Sequence, residues 1–187
     1  MEIVLQPVLA DLDNNTLNNL GNDISREFEN IKVTVSSATN NSNLMQLKKD
    51  ITFQSSFDNH RNQWYSPKLL EWILDNFKPT RRTKILGILD IDAYSGGFDF
   101  VFGEAFYTGR VAAIYLSRLR QEFYGLDPNP SLFYERLVKE AIHELGHVFG
   151  LRHCKNSRCV MYFSTSLLDI DTKRKNFCHD SAKKNFR

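Results

Sequence analysis

The sequence predicts a mixed α/β (α+β) domain: a twisted, partly parallel sheet carrying one long helix, followed by a small irregular C-terminal part. Three observations predict it. The opening segments alternate between a strand period and a helix period. Residues 84–91 form a strongly apolar run suited to a sheet interior covered on both faces. Two more strand-like runs then lead into a long amphipathic helix.

In chain order, residues 3–9 read as a first strand. Residues 14–28 read as a helix with Leu17, Leu20, Ile24 and Phe28 along one side, and 31–35 alternate like a strand. Such a βαβ opening implies a right-handed crossover. Residues 42–58 have little periodicity, and a short strand around 51–53 is the expectation there. Residues 64–77 carry Leu69, Leu70, Ile73 and Leu74 at helical spacing and stop before Pro79. Strands follow at 84–91, 99–106 and 110–116. Ser131 is the expected N-cap of the long helix, with Glu135 in its early part. Residues 1–187 thus form one domain, with the sheet and helix in about residues 1–150 and a lower part in about 151–187. A chain of this length buries roughly 70% of its unfolded surface.

Composition narrows the function classes. Apolar content of 42% with no long apolar run points to a soluble protein without membrane spans. A net charge of +2 is too small to imply nucleic acid. The start, Met1 to Pro7, lacks the basic residues and long apolar run of a signal peptide, so a cytoplasmic location is expected. Three cysteines, an odd number, argue against a disulfide framework. A monomer is the expectation.

The chemistry concentrates in residues 143–153, which read H-E-x-x-H-x-x-G-x-x-H. The added Gly150 and His153 would fall at those offsets by chance in roughly one of eight hundred draws from this composition. At about 100° per residue, His143 and His147 point roughly 40° apart. Leu137, Val138, Ala141, Ile142, Leu145, Val148 and Phe149 fill the opposite arc. The helix can therefore bury one face and offer both histidines to a cleft. Gly150 can take the left-handed conformation that reverses the chain and brings His153 back. Three neutral imidazoles on a catalytic Zn²⁺ leave a fourth position for water. Glu144, between the two faces, is placed to take that water's proton.

All three cysteines lie downstream. Cys154 and Cys159 have a spacing suited to a tetrahedral thiolate site, and Cys178 could close over it. The loop between the first two, Lys155 to Arg158, is polar, and Cys178 lies between basic runs. Both contexts favour a metal over inert buried thiols.

The run from His143 to His153, followed by Cys154, Cys159, Val160 and Met161, resembles the archaemetzincins, a family of metzincin-type metallopeptidases. Residues 61–65, 84–92, 100–105 and 109–116 are similar to that family too, so the resemblance covers most of the chain. It implies a metzincin-like twisted mixed sheet with a zinc-binding helix. It also implies a catalytic zinc on His143, His147 and His153, Glu144 as general base, and a second, structural zinc on the cysteines. Met161 resembles the Met-turn residue whose thioether forms a floor under the metal. The chain departs from the family's C-x-x-C pair near the C-terminus, because Cys178-His179-Asp180-Ser181 ends in serine, a hard and poor replacement for a thiolate. The fourth ligand of a Cys154/Cys159/Cys178 site is then His179, Asp180 or water, unless the site is empty.

The leading expectation is a zinc metallopeptidase acting on peptides or proteins. In a metzincin-like cleft the zinc helix is the floor, and strands within 99–116 are candidates for a wall that pairs with extended substrate. Asp90, Asp92 and Tyr162 are further cleft candidates. The alternatives are the same fold with weak or lost peptidase activity, or a zinc-stabilised module binding protein or nucleic acid. The last would use Lys173, Arg174, Lys175, Lys183, Lys184 and Arg187. Only Phe177 and Phe186 are interleaved there for base stacking, which weighs against it.

Overall fold

The computed structural model describes residues 1–36, 47 and 49–185, the last three of these by backbone alone. Strand β1 (Glu2–Leu9) pairs in parallel with β2 (Lys32–Val35) on one side and β5 (Thr83–Leu89) on the other. Helix α1 (Asn14–Glu27) joins β1 to β2. Asp13 caps it, accepting from the Thr16 N–H at 2.7 Å, and Leu17, Leu20 and Ile24 are buried. Strand β9 (Val111–Tyr115) continues the parallel run beside β5. Strand β8 (Gly103–Ala105) then pairs antiparallel with β9 and closes the order β2-β1-β5-β9-β8.

Alternation along the central strands decides what covers each face. Leu86, Ile88, Ala112 and Ile114 face a core shared with α1 and with α4 (Pro130–Val148). Ile85, Leu89, Val111, Ala113 and Tyr115 face a second core shared with α3 (Ser66–Phe77). A Cβ at Gly87 would lie 2.6 Å from Ile73 Cδ1, so glycine is what lets α3 lie this close. The mixed α/β class expected from the sequence is the class observed.

Several local expectations are corrected. Residues 51–53 are not a strand but begin helix α2 (Ile51–Gln54). Asp50 accepts from the N–H groups of Thr52 and Phe53 at 2.9 and 3.1 Å, and this cap outweighs the β-branched propensity of Ile51 and Thr52. Residues 42–46 and 48 of that stretch lie outside the described residues. The helix expected from 64 starts at Ser66, because Gln63–Tyr65 forms strand β4. The single strand expected at 99–106 is two: β7 (Phe98–Val101) and β8, with buried Phe102 between them. Strand β7 belongs to a second sheet of order β3-β4-β6-β7, with β3 (Phe57–Asp58) and β6 (Ala93–Ser95). The N-cap of α4 is Asn129 rather than Ser131. Its side chain accepts from Leu132 N at 3.0 Å, and Pro130 takes the first helical turn, where a missing N–H costs nothing.

Beyond α4 the chain is less irregular than expected, with helices α5 (Leu167–Thr172) and α6 (His179–Asn185). Leu151, Cys159, Val160, Met161 and Ile170 join the core that faces α1 and α4. The segment from Leu151 to Ile170 is therefore anchored on the sheet-and-helix core, which brings its side chains against α4.

Candidate active site

Helix α4 buries Leu137, Val138, Ala141, Ile142, Leu145 and Val148 and turns His143 and His147 the other way. The His143 Nδ1 lies 2.8 Å from the Val160 carbonyl oxygen, and the His147 Nδ1 lies 2.8 Å from that of Leu151. Each Nδ1–H is thus committed to a carbonyl, which leaves each Nε2 as a lone pair. Gly150, at φ 88°, ends the helix in the left-handed region, and the Leu151 N–H returns to the Gly146 carbonyl at 2.9 Å. The reversal carries His153 back, as its position after the glycine foretold. The Nε2 of His147 then lies 3.1 Å from that of His143 and 3.2 Å from that of His153.

These distances can be tested against a zinc ion. Zn–N bonds of about 2.0–2.1 Å in a tetrahedron give an edge of about 3.3 Å between nitrogens. The donor set and its spacing fit. A proton shared between the rings would serve less well. Burial, with Lys173 and His147 adding to it, holds His143 well below its ordinary pKa, and burial also lowers His147. Burial, then His147 and Lys173, push His153 down to about 4. Lone pairs packed this closely call for a cation that stays at neutral pH.

Glu144 is 4% exposed, and its Oε2 has no hydrogen-bond partner among the described residues. Burial first, and then the neighbouring carboxylate Glu140, raise its proton affinity well above the usual range, against the pull of Lys173. Strand β8 runs directly against it: a Cβ at Gly103 would lie 2.6 Å from Glu144 Cγ and 2.8 Å from its Oε1. One turn earlier, Glu140 forms a buried ion pair with Lys173 at 2.7 Å. Met161 is buried against Gly146, between the two helical histidines, where an added Cβ would come within 2.5 Å of its Sδ.

Glu140, His143, Glu144, His147 and His153 line a cleft of about 800 Å³, together with Phe98, Gly103, Glu104 and Phe163. Of the wall expected within 99–116, residues 99–105 line the cleft, whereas 111–115 are strand β9 in the sheet interior. Asp90 and Asp92 do not line it. They pair with Arg120 and Arg118 and hold the segment after β9. Tyr162 does not line it either; the adjacent Phe163 does, with its ring 4.7 Å from that of His153.

The cysteines also converge. The Sγ atoms of Cys154, Cys159 and Cys178 lie within 4.8 Å of one another, with Cys154 and Cys178 3.7 Å apart. His179 is corrected as a partner of this cluster: its side chain is 78% exposed and lies beside Asp180. Ser181 faces the sulfurs instead, 3.4 Å from both Cys159 and Cys178. Residues three apart at the start of a helix share a face, while the next residue turns about 100° away. A serine three places after Cys178 was the available signal. Of the basic tail, Lys173 and Lys175 are taken up in ion pairs with Glu140 and Asp23. The side chains of Lys183, Lys184, Phe186 and Arg187 lie outside the described residues.

The profile of peptidase family M54 matches residues 22–186. The chain is 51% identical over 106 residues to the archaemetzincin of Methanocaldococcus jannaschii, a match covering 57% of this chain and 59% of that protein. It is 43% identical over 132 residues to the archaemetzincin of Pyrococcus horikoshii, covering 71% and 70%. Among solved structures, it is similar to the archaemetzincin from Archaeoglobus fulgidus complexed with malonate, with a TM-score of 0.75 and 33% identity over 98% of this chain and 99% of that one. It also resembles the archaemetzincin from Methanopyrus kandleri, with a TM-score of 0.78 and 32% identity over 98% and 92%.

Proposed function

The chain belongs to peptidase family M54, with the zinc metallopeptidase character of that family, and on this premise we propose that Glu144 is the general base of its peptide hydrolysis. His143, His147 and His153 would hold the catalytic zinc. Bound there, the ion supplies Lewis acidity and lowers the pKa of a water ligand towards about 7. The carbonyls of Val160 and Leu151 keep two of the imidazoles in the ligating tautomer. Glu144 Oε2, buried without a hydrogen-bond partner among the described residues, would take a proton from the attacking water and pass it to the leaving amine. Its raised proton affinity suits that two-way transfer.

Strand β8 ends its sheet, so an extended peptide can add along its free edge with few demands on sequence. Met161 packs under the helical histidines as a floor, and Cys154, Cys159 and Cys178 would hold a second, structural zinc. The substrates are peptides or proteins, handled by a cytoplasmic monomer in one domain. Among the described residues no helix is long and apolar enough to cross a membrane.

The observation that carries this reading is the trio of Nε2 atoms, on rings of which two are anchored through Nδ1 by carbonyls, beside a buried carboxylate oxygen with no hydrogen-bond partner among the described residues. The test is Glu144→Gln. Zinc content should stay at the wild-type level while cleavage of a peptide library falls by about 10²–10⁴-fold. A variant that retains wild-type turnover would remove Glu144 from the chemistry.

A further inference from the structure

Cysteine 178 is followed three places on by a hydroxyl, not a fourth thiol, and the structure turns that hydroxyl into the cluster. We propose that Ser181 Oγ is the fourth corner of the Cys154/Cys159/Cys178 metal site, and that this oxygen corner makes the metal held there readily exchangeable. The proposal rests on reading the three cysteines as a second zinc site.

The Cys154–Cys178, Cys159–Ser181 and Cys178–Ser181 separations suit edges of a tetrahedron with one oxygen corner. Zn–S bonds of about 2.3 Å give an S···S edge of about 3.8 Å, and replacing one sulfur by an oxygen at about 2.0–2.2 Å gives S···O edges of about 3.5 Å. Cys154 and Cys178 are 3.7 Å apart, and Ser181 Oγ is 3.4 Å from each of two sulfurs. Ser181 is 7% exposed, so its position is set by packing and not by solvent. The competing donors on the same turn, His179 and Asp180, are both largely exposed. Backbone N–H groups already support the sulfurs: Asn156 N is 3.5 Å from Cys154 Sγ, and Cys178 N is 3.3 Å from Cys159 Sγ.

A neutral hydroxyl binds zinc more weakly than a thiolate and leaves without moving a charge. Departure therefore begins at residue 181, where water can take the open corner. A fourth thiolate closes that route.

The experiment loads the full chain with zinc and compares wild type, Ser181→Cys and Ser181→Ala. Zinc is counted by mass spectrometry, and its release into a pyridylazo-resorcinol chelator is followed in time. Ser181→Cys should slow the faster release phase by about ten- to a hundred-fold, the range over which ligand surroundings alter metal affinity. Ser181→Ala should accelerate it. With cobalt in place of zinc, the near-ultraviolet sulfur-to-metal band should grow in Ser181→Cys. Release rates and bands that ignore residue 181 in a protein holding two zinc ions would overturn the oxygen corner alone. A wild type holding one zinc, with all three thiols reacting at once with a disulfide reagent, would instead overturn the second metal site itself.

Discussion

The histidine trio and the sulfur trio meet at a single peptide bond, between His153 and Cys154, yet the fold positions them by opposite means. Two of the histidines stand on α4, a helix whose other face is the core, and their rings are pinned by backbone carbonyls. The sulfurs come from two loop positions and from the residue leading into the short helix α6. They converge only because the last part of the chain docks on α1 and α4. Arg136 holds Asp171 through two contacts of 2.7 Å, Lys173 reaches Glu140, Lys175 reaches Asp23, and Phe177 packs edge-on against Phe28. One site is built into a helix. The other is assembled by docking.

The difference can be broken at the docking contacts. Lys173 is fully buried, and removing it leaves Glu140 as an uncompensated buried charge. Lys173→Met should cost about 3–5 kcal/mol in urea unfolding. If both trios hold zinc as proposed, zinc counting along the same titration should show the ion on the sulfurs leaving before the one on the histidines. Adding Glu140→Leu should recover most of the loss, because a well-packed apolar pair replaces a buried ion pair at little cost. A single variant as stable as the wild type would mean that the tail is held by other contacts.

The sequence made one of these regions readable and hid much of the other. Helix periodicity converts the four-residue spacing of His143 and His147 into a shared face, and Gly150 announces the reversal that returns His153. The three-residue spacing from Cys178 to Ser181 is a weaker signal, because it puts the two on one face only if a helix begins there. Whether Ser181 or His179 faces the sulfurs depends on α6 beginning at residue 179, and nothing in that stretch signals a strong cap. Lys173 reads as part of a solvated basic run, and it becomes a buried partner only once Glu140 lies over it. The break of the expected 99–106 strand has a similar cause. Residues 98–101 pair with β6 and residues 103–105 with β9, and neither partner is visible from the local pattern.

A smaller perturbation sharpens the helical side of the comparison. Gly103 lets strand β8 approach Glu144, and its hypothetical Cβ would also lie 2.9 Å from the Ala113 carbonyl oxygen. Neither a strand backbone nor the buried stem of Glu144 can yield easily. Gly103→Ala should therefore shift β8 and the carboxylate together, at a cost of about 1–3 kcal/mol. If Glu144 is the proposed base, peptide cleavage should fall by up to about a hundred-fold, as expected of a misplaced catalytic group, with the zinc content of the wild type unchanged. An unchanged kcat/KM would show that the carboxylate tolerates displacement.

The smallest expected effect concerns acid. Asp23 on α1 accepts hydrogen bonds from Lys175 at 2.8 Å and from Tyr134 at 2.9 Å, tying the tail to both helices. Burial pushes its pKa up, but those two hydrogen bonds, with the charges of Lys175 and Arg26, outweigh it and hold the group below its ordinary 3.8. A carboxyl with a depressed folded-state pKa binds its proton more readily when unfolded. Its contribution is therefore present above about pH 4 and is lost as pH falls through the lower folded-state value. Asp23→Asn mimics the protonated form at every pH. Its melting temperature should lie below that of the wild type at pH 7, and the gap should close below pH 4. Metal loss in acid acts on both proteins alike and cancels in the difference. A gap that stays constant from pH 7 to pH 3 would show that the stability supplied by Asp23 does not depend on its charge.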